Sequence, residues 1–89
     1  MARLESSFDA SIEQTAIGGG VDPLFELGLK YCTGRDVSLD LVQAHKWFNI
    51  AALRGNEAAK RYRLELGREM SKLQVAQAQK LAREWLSRH

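Results

Sequence analysis

Apolar residues recur along this chain at spacings of three and four, and a residue with capping chemistry stands where each apolar stretch begins. After Asp22-Pro23, the positions Leu24, Leu27, Gly28 and Tyr31 follow the i, i+3, i+4, i+7 rule of a helix that turns one face to a core. The Asp22 carboxylate can accept the first backbone N–H groups, and proline at the first helical position has no N–H to leave unpaired. Gly34 stands where this helix should stop. Ser38 and Asp40 then offer caps, with Gln43 in position for a capping box. From there Leu41, Ala44, Trp47, Phe48, Ala51 and Ala52 form the stripe of a second helix that Gly55 ends.

Asn56 caps a third helix with the stripe Ala59, Tyr62 and Leu66, the rest of its surface being mainly charged. The run Ser71-Lys72-Leu73-Gln74 fits the reciprocal capping box, and the helix it opens should reach about Ser87, burying Val75, Ala78, Leu81, Ala82 and Trp85. Ahead of these, Phe8 to Ile17 reads as a short helix ending in Gly18 to Gly20, with the first five residues frayed. The chain therefore divides into about five helices.

Part of this pattern repeats. A shift of 36 places Gly19 on Gly55 and Ala16 on Ala52, and a shift of 34 aligns Gln43-Ala44-His45-Lys46 with Gln77-Ala78-Gln79-Lys80. Fixed periods of this length mark stacked architectures, in which a unit cannot bury its apolar face alone. Small Gly28, Ala44, Ala51 and Ala52 beside bulky Tyr31, Trp47 and Phe48 suit two helices that approach closely.

The run Leu27-Gly28-x-x-Tyr31-x-x-Gly34-x-x-Val37-x-x-Asp40-x-x-x-Ala44-x-x-Trp47-Phe48-x-x-Ala51-Ala52-x-x-Gly55-Asn56 resembles the Sel-1-like repeat, a relative of the tetratricopeptide repeat, over Pro23 to roughly Ala59. The second unit departs from it: Arg63-Leu64 replaces the family's leucine-glycine pair, and Leu81 stands at the usual tryptophan site. The resemblance implies an all-α fold, a short α-solenoid of antiparallel helix hairpins with a right-handed superhelical tendency. A single domain over 1–89 would comprise a half-repeat helix at 6–20, a complete repeat at 21–55 and a degenerate capping repeat at 56–89. With two and a half units, either the terminal helices act as caps or two chains pair, so a monomer or weak homodimer is expected.

Composition changes this picture little, but charge adds to it. Hydrophobic residues make up 45% and charged residues 27%, as in an ordinary globular domain. The net charge of +2 hides an asymmetry: residues 1–53 hold four Lys/Arg against seven Asp/Glu, residues 54–89 nine against four. Glu5, Asp9 and Glu13 break up the apolar run a secretory leader needs, and the single cysteine, Cys32, suits a reducing compartment, so a cytoplasmic protein without membrane association is expected.

Catalytic chemistry is not expected. Cys32 has no nucleophile signature around it, and His45, read as facing solvent between Ala44 and Lys46, finds only His89 and Cys32 as further soft ligands, too few for a metal site. The glycine run lacks the Lys-Ser/Thr of a phosphate loop, so no cofactor is expected either. Tyr31, Trp47, Phe48 and Trp85 fall at core spacing rather than forming an aromatic cage.

The resemblance implies protein–protein interaction, with a peptide or protein segment bound along a groove lined by the first helix of each repeat, here parts of Pro23 to Thr33 and Glu57 to Arg68. Helix phase nominates Glu26, Lys30, Lys60, Arg61 and Arg63 as the outward, partner-binding residues. A competing reading makes the basic residues from Arg54 to Lys72 a nucleic-acid surface. Against it, Glu57, Glu65 and Glu69 are interleaved at helical pairing distances, for example Glu57 with Arg61. Some relatives of this repeat family have been credited with hydrolase activity, but no acid, base or nucleophile set stands in this sequence.

Overall fold

A computed structural model of the chain describes residues 22–89 and is all-helical over them. Four helices follow one another: α1 (Pro23–Thr33), α2 (Leu41–Leu53), α3 (Glu57–Glu69) and α4 (Lys72–Arg88). The helix expected at Phe8 to Ile17, and with it the half-repeat at 6–20, lies outside the described residues.

Each helix starts at the cap its sequence offers. Asp22 Oδ1 accepts from the backbone N–H of Leu24 at 3.0 Å and of Phe25 at 3.3 Å, with Pro23 at the first helical position. Asp40 accepts from Gln43 N, Asn56 from Ala59 N, and Ser71 and Gln74 close the full reciprocal box. These bonds satisfy donors that a helix N-terminus otherwise leaves open, and each is worth about 1 kcal/mol. Gly34 ends α1 in the left-handed region at φ 73°, where its N–H reaches the Lys30 carbonyl. There a side chain would be strained. Asp36 also takes positive φ, at 67°, so the loop from Gly34 to Asp40 turns back sharply, and the Asp40 N–H bonds the Tyr31 carbonyl at 3.0 Å.

Helix α2 is the hub, packed against α1, α3 and α4. Its Ala44, Phe48, Ile50 and Ala51 have no exposed surface. On one side α2 meets α1 where Gly28 lies under the Phe48 ring: a Cβ built on Gly28 would stand 2.5 Å from Phe48 Cδ1. That distance is far inside van der Waals contact, so the approach requires glycine. Phe25, Phe48 and Tyr62 then bring one ring from each of α1, α2 and α3 together, with centroids 5.2 to 5.6 Å apart and the Phe25–Tyr62 pair edge to face. Such arrangements set the positive ring edge against the negative face and add about 0.5–1.5 kcal/mol per pair beyond burial. On the other side, Ala78 and Ala82 of α4 are fully buried, and Trp47 of α2 meets Trp85 of α4 edge to face at 5.5 Å.

Three expectations are corrected here. The buried face of α1 is Phe25, Gly28, Leu29 and Cys32, whereas Leu24, Leu27 and Tyr31 are only half-buried. The face is rotated because Phe25 must reach Tyr62 of α3 as well as Phe48 of α2. Trp47 is half-buried rather than central, the core ring being its neighbour Phe48. His45 does not face solvent; it is 3% exposed, because a helix enclosed by three others has more than one inward face.

Gly28→Ala adds helix propensity of about 1 kcal/mol, yet the Phe48 clash outweighs it. Urea denaturation should show a net loss of about 1–3 kcal/mol, partly recovered when Gly28→Ala is combined with Phe48→Leu, whose shorter side chain vacates the space.

Candidate functional site

The five residues nominated as partner-binding do not share one environment. Glu26 and Arg61 are exposed and Lys30 is half-exposed. Lys60 is exposed and ion-paired with Glu57 at 2.8 Å one turn earlier, in place of the expected Glu57–Arg61 pair. At the surface such a pair contributes little to stability and leaves both groups hydrated. Arg63 departs from the outward set. Its side chain is half-buried and turns to α2, where Nη1 donates to Asn49 Oδ1 at 2.7 Å.

That turn places Arg63 on an open groove of about 390 Å³ bordered by α2, α3 and α4. His45 and Asn49 contribute from α2, Arg63, Leu64, Gly67 and Arg68 from α3, and Val75 and Gln79 from α4. The volume falls in the range of small-molecule sites. Its lining combines two guanidinium groups, an imidazole and two carboxamides with the apolar Leu64 and Val75, and includes no carboxylate. Gly67 opens the space from the α3 side: a Cβ there would meet His45 Nε2 at 3.8 Å and Val75 Cγ2 at 4.0 Å, ordinary contact distances.

His45 is the unusual member. Burial, and then the positive charge of Arg63, lower its pKa below the ordinary histidine value of 6.5. It is accordingly neutral at pH 7, and its Nδ1 is buried without a hydrogen-bond partner. An orphaned buried polar atom costs about 1–3 kcal/mol, which packing elsewhere on α2 must offset. Trp47 Nε1 is a second such atom. Around it Lys46 sits 4.2 Å from the Trp47 ring centroid and Arg54 lies over Trp85 at 5.2 Å, while Trp85 stacks on His89 at 4.2 Å. Partial burial lowers the Lys46 pKa.

Sequence reasoning missed the pocket residues His45, Asn49, Arg68 and Gln79 as a group. One signal was present: Gly67 interrupts a segment of strong helix formers, which costs about 1 kcal/mol and marks a place where space is kept.

Cys32 is buried in the core, its Sγ 3.4 Å from the Leu29 carbonyl. Among the described residues no group of three or more His, Cys, Asp and Glu is placed to hold a metal ion, and no helix is long and apolar enough to cross a membrane. Comparison of the chain with protein-family models, with curated proteins and with solved structures finds no match.

The lowered His45 pKa fixes a sign. The folded protein binds fewer protons at this site than the unfolded chain does, so stability is full above about pH 6.5 and is lost as the pH falls from there towards the folded-state value. Thermal melts between pH 7.5 and 5 should show the wild type losing stability more steeply than His45→Gln, by no more than about 1.4 kcal/mol per pH unit for one proton. Parallel curves for the two proteins would mean that His45 titrates normally.

Proposed function

We propose that this chain is a small cytoplasmic adaptor, a short Sel-1-like α-solenoid that binds a peptide or protein segment on an exposed helical face. The observation that carries the proposal is the bond between two caps. Asn56 Nδ2 donates to Asp22 Oδ2 at 2.8 Å, so the residue that starts α1 and the residue 34 positions later that starts α3 are tied together while each still caps its own helix. Equivalent starts one period apart, held in register, are what a stacked repeat requires. The glycine-to-ring contact between α1 and α2 supplies the close hairpin of the complete repeat. Helix α4, seated on α2 and joined to α3 by only Met70 and Ser71, acts in this reading as the cap.

The partner-binding surface consists of Glu26 and Lys30 on α1 with Lys60 and Arg61 on α3. Arg63 belongs to the pocket instead. An anionic nucleic-acid partner is less favoured, because Lys60 is already paired with Glu57 and Arg63 turns away from the outer face towards α2. A surface built from helix faces leaves the identity of the partner to side-chain complementarity.

Affinity purification of tagged protein from its source lysate should recover a partner with the wild type and lose it with Lys30→Glu/Arg61→Glu, at an unchanged melting temperature. Equal recovery by the double variant would exclude this surface.

A further inference from the structure

We propose that the pocket between α2, α3 and α4 is a binding site for a small organic carboxylate whose short apolar body lies against Leu64 and Val75. The inference goes beyond the adaptor reading and uses different residues, so it stands or falls separately.

The lining dictates the charge. Arg63 and Arg68 both border the pocket, and no acidic residue does, so nothing within it neutralises them. Arg63 is also oriented. Of the five N–H groups on its guanidinium, one on Nη1 is committed to Asn49. That bond fixes the plane of the fork and leaves further donors for a second acceptor. A carboxylate matches a guanidinium edge with two parallel, charge-assisted hydrogen bonds, roughly twice as strong as neutral ones.

His45 gives the second, independent indication. Its side chain is 97% removed from solvent, its Nδ1 has no partner, and its Nε2 edge borders the space in front of Gly67. The lowered pKa keeps this imidazole neutral beside Arg63, so the guanidinium carries the positive charge at this wall of the pocket. A carboxylate placed there pairs with the Arg63 charge, and the neutral imidazole, with its proton on Nε2, has an N–H to offer it. Gln79, opposite on α4, supplies a further amide donor.

The apolar half of the site limits the ligand further. Leu64 is 61% exposed, an unusual position for a large aliphatic residue that borders a pocket. Covering it and Val75 removes apolar surface from water. A dianion or a phosphate monoester would not use these walls, whereas a branched aliphatic monocarboxylate would. The same chemistry is offered by a free acid and by the C-terminal residue of a peptide ending in leucine.

Titration of isotope-labelled full-length protein with 4-methylpentanoate, followed by NMR, tests the site. The expected result is saturable shift changes centred on His45, Arg63, Gly67 and Gln79, with the neutral 4-methylpentanamide binding at least about tenfold more weakly. An N-acetylated tetrapeptide ending in leucine, with a free or an amidated C-terminus, forms the second arm. Tighter binding of the free-terminus peptide than of 4-methylpentanoate assigns the site to peptide ends, and the reverse order to free acids. Arg63→Gln should weaken binding about tenfold. Gly67→Leu, which fills the pocket while favouring the helix, should abolish binding without lowering the melting temperature. Absence of saturable shifts in both arms, equal binding of acid and amide, or wild-type binding by a folded Gly67→Leu protein would overturn the proposal.

Discussion

Residue 28 has no side chain, and the ring of Phe48 occupies the place where one would begin. From this contact the rest of the structure follows. It sets how near α1 comes to α2, and thereby brings Phe25 within reach of both Phe48 and Tyr62. The three rings join α1, α2 and α3 around one point, and with α3 fixed there the Asn56 side chain can reach Asp22. A glycine inside a helix sacrifices local stability, and here the sacrifice purchases a tertiary approach that no other residue permits.

The second consequence concerns α2. A helix contacted by α1, α3 and α4 has little surface to give to water, and the residues that in an ordinary amphipathic helix would be polar and exposed are drawn inside. His45 is such a residue, and both it and the half-buried Trp47 hold a buried nitrogen without a partner. Arg63 and Asn49, paired across α2 and α3, line the pocket that His45 borders. The packing that stabilises the hub therefore also concentrates the chemistry of the molecule along one helix.

Local signals were legible in the sequence and enclosure was not. The caps Asp22, Asp40, Asn56 and Ser71 act within three residues of themselves, so their chemistry could be read from spacing alone, and all four cap as expected. The stripe Ala59, Tyr62 and Leu66 on α3 was equally plain, because that helix buries a single face. The face of α1 was misjudged because Phe25 answers to a residue on α3, and no periodicity within α1 records that. The burial of His45 escaped for the same reason, since only the arrangement of three helices around α2 decides it. The pocket draws on residues from His45 to Gln79, and apart from Gly67 and Val75 none of them differs in pattern from a solvated helix face.

The measurement that bears most directly on this account is the NMR environment of Gly28 in the wild-type protein. A ring seated on the glycine shifts the Gly28 α protons strongly upfield and gives intense cross-relaxation between them and the Phe48 ring protons, and both are the predicted result. Random-coil α-proton shifts at Gly28, with no cross-relaxation to Phe48 in a folded sample, would contradict the close approach on which the architecture rests.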